Sequence, residues 1–133
     1  MPIDYSRDDR DRRITVVNRG DVTLAELLAV LDRQAAEGTW SYSMLYDAQS
    51  TTFRPSNADV RKLANRAGSL TRRHGRRGRV AVVTPQPAAY EKAQTYSHLA
   101  EAFDIPMRVF LNRSSAERWL NDSRATDAPT EPA

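Results

Sequence analysis

Cysteine is absent from the chain, which excludes disulfides, thiolate catalysis and cysteine-ligated zinc or iron–sulfur centres. Histidine is scarce: His74 and His98 are the only two, too few for a histidine-rich metal site. Both read as structural, His74 among arginines at a helix end and His98 beside an apolar stripe. Glycine numbers five, and Gly75 and Gly78 fall in an arginine-rich segment, so no glycine-rich phosphate loop exists. No G-x-S-x-G elbow occurs. No apolar run approaches the ~20 residues that a membrane helix needs. Met1 to Arg13 is mostly polar or charged and lacks the apolar centre of a secretory signal. These absences lead to the expectation of a soluble, cytoplasmic, non-enzymatic protein with no integral membrane segment, no metal and no cofactor.

What is present fits one domain. The chain has 133 residues, of which 40% are hydrophobic and 28% charged, enough for a single modest core. Charge is distributed unevenly. Between Val60 and Arg79 lie Arg61, Lys62, Arg66, Arg72, Arg73, Arg76, Arg77 and Arg79, with no acidic residue. The rest of the chain holds 12 basic and 17 acidic residues, a net −5. Such a stretch can attract phosphates, nucleic acid or an anionic surface. Interleaved aromatics, which a single-strand binding platform needs, are missing from it. The expected reading is a solvated helix face running into a basic loop, with nucleic acid not the expected partner. Anion or nucleic-acid binding through residues 61–79 stays as an alternative.

Hydrophobic periodicity predicts the elements. A short alternating strand begins at Ile3-Asp4-Tyr5, and the β-branched run Ile14 to Val17 makes a second, antiparallel to it. Thr23 with Glu26 forms a capping box, and Val22 can staple onto Leu27. Leu24, Leu27, Leu28, Leu31 and Ala35 then mark one buried helix face, ended at Gly38. Ser43 to Ala48 reads as a strand. Ser56 and Asp59 cap a second helix whose inner face is Val60, Leu63, Ala64 and Ala67, ended at His74-Gly75. The unbroken apolar run Val80 to Val83 predicts a strand covered on both faces. Ala89, Ala93, Tyr96, Ala100 and Phe103 mark a third helix. Met107 to Leu111 is a last strand. Ser114 and Glu117 suggest a further capping box, with Trp119 and Leu120 anchoring a final helix. The order β-β-α-β-α-β-α-β-α demands an α/β fold: a mainly parallel sheet with right-handed crossovers and an antiparallel N-terminal hairpin. The domain is expected over residues 1–121, followed by a disordered tail over 122–133.

Ligands of open α/β sheets bind at the carboxyl ends of the strands. Those ends carry the loops Ala48 to Pro55, Thr84 to Pro87 and Asn112-Arg113. Ser56, Arg54 and Thr52, at the start of the second helix, form a candidate phosphorylation or anion site. Asp47, Thr84, Tyr90 and Tyr96 form a candidate ligand pocket. Asp47 could act as a carboxylate base but has no evident partner. The basic patch is Arg61, Lys62, Arg66, Arg72, Arg73, Arg76 and Arg77.

Several short segments together resemble a known family. They are Met1-Pro2-Ile3-Asp4-Tyr5, Ile14-Thr15-Val16-Val17, Gly20-Asp21-Val22-Thr23-Leu24, Tyr46-Asp47, Arg79-Val80-Ala81-Val82-Val83, Arg108-Val109-Phe110 and Ala116-Glu117-Arg118-Trp119-Leu120. Over roughly Met1 to Asn121 they look like the SpoIIAA-like proteins. These share the STAS fold of anti-sigma-factor antagonists and sulphate-transporter tails, and are likened to CRAL-TRIO lipid-transfer domains. The resemblance implies a bacterial regulatory module that binds a protein partner. It also implies a homodimer, which uncovered Trp40, Tyr42 and Phe53 would support. In anti-sigma antagonists a phosphorylatable serine follows an Asp-Ser-Ser-Gly type sequence at the second helix. Ser56 occupies that place, within Arg54-Pro55-Ser56-Asn57. The alternative expectation is a small apolar ligand or lipid. An apolar cavity beneath the second and third helices would favour that ligand; a flat polar surface around Ser56 would favour the protein partner.

Overall fold

The computed structural model describes residues 3–51 and 55–122. Thr52, Phe53, Arg54 and the tail from 123 onward lie outside the described residues. Two strands open the chain, β1 (Ile3–Asp8) and β2 (Arg13–Gly20), paired antiparallel around a turn in which Arg12 takes a positive φ of 53°. Helices and strands then alternate: α1 (Leu24–Ala36), β3 (Ser43–Thr51), α2 (Asn57–His74), β4 (Val80–Val83), α3 (Pro87–Glu101), β5 (Met107–Phe110) and α4 (Arg113–Asn121). One five-stranded sheet runs β1-β2-β3-β4-β5, with β2 to β5 mutually parallel. The fold is the single-domain α/β architecture that the periodicity predicts.

Each strand in this order lies beside its sequence neighbour. Successive crossovers of one hand therefore stack α1, α2 and α3 on a single sheet face. Ile14, Val16, Met44, Val80, Val82, Met107 and Val109 look toward those helices and meet Val30 and Ala93. The opposite face presents Leu45, Ala81 and Val83 to Ala116, Trp119 and Leu120 of α4. All four residues of β4 are buried, because consecutive side chains enter two different apolar layers.

Two expectations change. Asn112, not Ser114, caps α4: its side chain accepts from the Ser115 N–H at 2.9 Å. Glu117 instead accepts from Arg113 Nε at 3.1 Å. Trp40 and Tyr42 are buried, 3% and 9% exposed, so neither is an uncovered aromatic calling for a second copy.

Candidate ligand-binding site

Strand alternation and helix periodicity build one cavity of about 150 Å³ between the sheet and the three-helix layer. Met44, Tyr46 and Ala48, spaced by two along β3, project into it, as do Val80, Val82 and Thr84 along and just past β4. Leu27, Val30 and Leu31 of α1 form a second wall. Ala89, Lys92, Ala93 and Tyr96 share one face of α3 at i, i+3, i+4 and i+7 spacing and form a third. Val60 and Leu63 of α2 lie across it.

α2 is closely packed at one end. Toward its C-terminal end, Ala67 and Leu70 pack with Leu31, Ala35, Ala100, Trp40 and Ile105. Gly68 lets the Phe103 ring press on the helix backbone, where a β-carbon would come within 2.5 Å of the ring. Nearer the start of α2, the facing residues of α3 are the small Ala89 and Ala93, which leave the space unfilled.

Arg77 is the unexpected residue of this wall. It follows Gly75, whose φ of 93° turns the chain out of α2, and precedes Gly78, whose N–H donates to the Trp40 carbonyl at 3.2 Å. Arg77 is 4% exposed. Its guanidinium stacks on the Trp40 ring, 4.1 Å from the centroid. Its Nη2 donates to Gln34 Oε1 at 2.9 Å and lies 3.2 Å from Met44 Sδ. Its Nη1 is buried without an acceptor, as is Gln34 Nε2. Burial pushes the Arg77 pKa down to about 10, against smaller raising influences from Tyr96 and Tyr5.

Two phenols share the wall. Burial pushes the Tyr96 hydroxyl up, partly offset by the field of Arg77. The Tyr46 hydroxyl accepts from Asn18 Nδ2 and is also pushed up, by burial first. Thr84 Oγ1 is buried without a partner. Lys92 is engaged elsewhere, its Nζ donating to Asn57 Oδ1.

The structure thus places Thr84 and Tyr96 in the cavity wall and separates them from the other two candidates. Asp47 falls on the α4 face of the sheet by strand parity, with its Oδ2 3.5 Å from Arg113 Nη1. Tyr90 packs at the edge of the sheet–helix core but does not line the cavity. Ser56 serves as the N-cap of α2: its Oγ accepts from the Asp59 N–H at 3.1 Å, and Asp59 Oδ2 accepts from the Ser56 N–H at 3.0 Å. Arg54 and Thr52 lie outside the described residues.

The basic patch divides. Arg61, Lys62, Arg66, Arg72, Arg73 and Arg76 are exposed. Arg66 pairs with Asp32 at 2.7 Å, and Arg72 lies over the Phe103 ring. Arg77 corrects the expectation of a continuous solvated patch, because its side chain turns inward onto Trp40. Charge counting treats it like its neighbours; only its place between Gly75 and Gly78 distinguishes it in the sequence. Gln34 and Asn18, which hold Arg77 and Tyr46, carry no sequence signal at all.

No family model matches the chain, and no curated protein or solved structure matches it.

Proposed function

We propose that this protein is a non-enzymatic binding module for a small, mainly apolar molecule held between the sheet and α1, α2 and α3. The observation that carries this reading is the cavity, whose walls are chiefly Leu, Val, Ala and Met with a few converging polar groups. That composition is typical of small-molecule sites. The resemblance of the chain's short segments to SpoIIAA-like proteins, themselves likened to lipid-transfer domains, would point the same way. A protein partner docked at Ser56 gains less support, since that hydroxyl is occupied in a helix cap. No helix among the described residues is long and apolar enough to cross a membrane.

A cavity of this size and character takes up a molecule as small as a substituted benzene. Toluene should therefore raise the melting temperature, because a ligand that binds only the folded state stabilises it by mass action. Ala93→Phe, which fills the space from α3, should melt cooperatively and lose the toluene response. A melting temperature unmoved by toluene in the unaltered protein would sink the proposal.

A further inference from the structure

We infer that the ligand is a small monocarboxylate, with Arg77 holding its anionic group at the cavity wall and the aryl or branched alkyl remainder filling the apolar space. This rests on the cavity being the ligand site.

The argument starts from charge. Buried cations are ordinarily paired, because removing a guanidinium from water is costly. Among the described residues no carboxylate pairs with Arg77; its contacts are a neutral amide oxygen, a thioether and an indole face. The one other cation in the wall, Lys92, reaches out to Asn57. Packing alone does not account for an arginine here. A methionine or leucine would cover Trp40 without burying a charge.

The missing partner has a definable chemistry. A guanidinium N–H donates to a carboxylate oxygen in a charge-assisted bond, here from Nη1 alone, because Nη2 is already directed at Gln34 and Met44. Arg77 has spent Nη2 on Gln34 and retains Nη1 without an acceptor. Tyr96, in the same wall, senses the Arg77 charge and offers a phenolic O–H. The guanidinium is held in place by Trp40 and Gln34, so little ordering remains to be done on binding. A phosphate dianion would need more donors than this wall supplies. A volume of about 150 Å³ matches an aryl or short branched group carried by that carboxylate.

The test compares benzoate, benzamide and toluene on the full chain, by calorimetric titration for the first two and thermal shift for all three. Benzoate should bind at least about tenfold more tightly than its neutral isostere benzamide, a gap set by the charge-assisted bonds. Arg77→Met should bring benzoate down to the benzamide level while keeping the toluene shift, which reports that the cavity survives. If Arg77→Met does not fold, Tyr96→Phe should weaken benzoate several-fold and leave toluene unchanged. Equal binding of benzoate and benzamide by the unaltered protein overturns the inference, as does benzoate binding that survives Arg77→Met. Toluene binding with no benzoate preference would refute the carboxylate alone. No binding of any of the three would refute the cavity reading beneath it.

Discussion

A β-carbon at Gly78 would strike the carbonyl oxygens of Ser41 and Tyr42, so the segment carrying Arg77 lies directly against the backbone leading into β3. Gly78 therefore positions Arg77 as much as Trp40 does. Gly78→Ala should cost about 3 kcal/mol, because rigid backbone rather than a flexible side chain must yield. Gly75 makes the contrast. Nothing lies within 4 Å of a β-carbon there, but its φ of 93° and ψ of −172° are essentially restricted to glycine, so Gly75→Ala should cost about 2 kcal/mol, all of it backbone strain. Urea unfolding of the two variants checks both values, and equal small losses would show that the two segments do not touch. Residue-level reading of the sequence had no access to this contact. It joins positions more than thirty residues apart, and neither glycine carries a side chain whose type betrays a neighbour.

Helix starts, by contrast, were largely legible. Thr23 with Glu26 and Ser56 with Asp59 form reciprocal capping boxes where their spacing predicts them. At the start of α4, Asn112 and Ser114 are both good caps, and spacing alone cannot choose between them. Register decides it. Ala116, Trp119 and Leu120 must face Leu45, Ala81 and Val83 just after β5 ends at Phe110, and a helix beginning at Arg113 brings them there. Asn112→Ala should cost about 1 kcal/mol, the usual worth of an N-cap side chain, while Ser114→Ala should change stability by less than about half that. Denaturant midpoints of the two variants test the assignment, and the reverse ranking would restore Ser114 as the cap. The order of strands and helices along the chain was legible for the same local reasons. The cavity was not. Its walls come from three helices and the sheet, and neither the small Ala89 and Ala93 of α3 nor the tertiary Gly68–Phe103 contact announces a space between them.

At the scale of the whole molecule, the buried titrating groups set an alkaline limit to folding. The Tyr5 phenol is pushed up to about 12, first by partial burial and then by its hydrogen bond to Glu37 Oε1 at 2.9 Å. Burial also raises Tyr46 and Tyr96. In the unfolded chain these phenols ionise near their ordinary value of 10, while the fold keeps them protonated. Their contribution to stability is therefore complete below about pH 10 and is lost as pH climbs toward the folded values. Arg77 acts in the opposite sense. Its charged form is disfavoured by burial, so its penalty is relieved as pH rises from about 10 toward the ordinary arginine value. Three phenols oppose one guanidinium, and the balance is a melting temperature that falls above about pH 10. Arg77→Met removes the opposing effect and should steepen that fall. A bound carboxylate should steepen it as well, because it favours the charged guanidinium and lifts the Arg77 pKa back toward its ordinary value. Melting curves recorded from about pH 8 to 11, with and without benzoate, follow all three effects. A melting temperature that rose through this range would mean that the phenols of Tyr5, Tyr46 and Tyr96 are open to solvent and that Arg77 alone governs the alkaline limb.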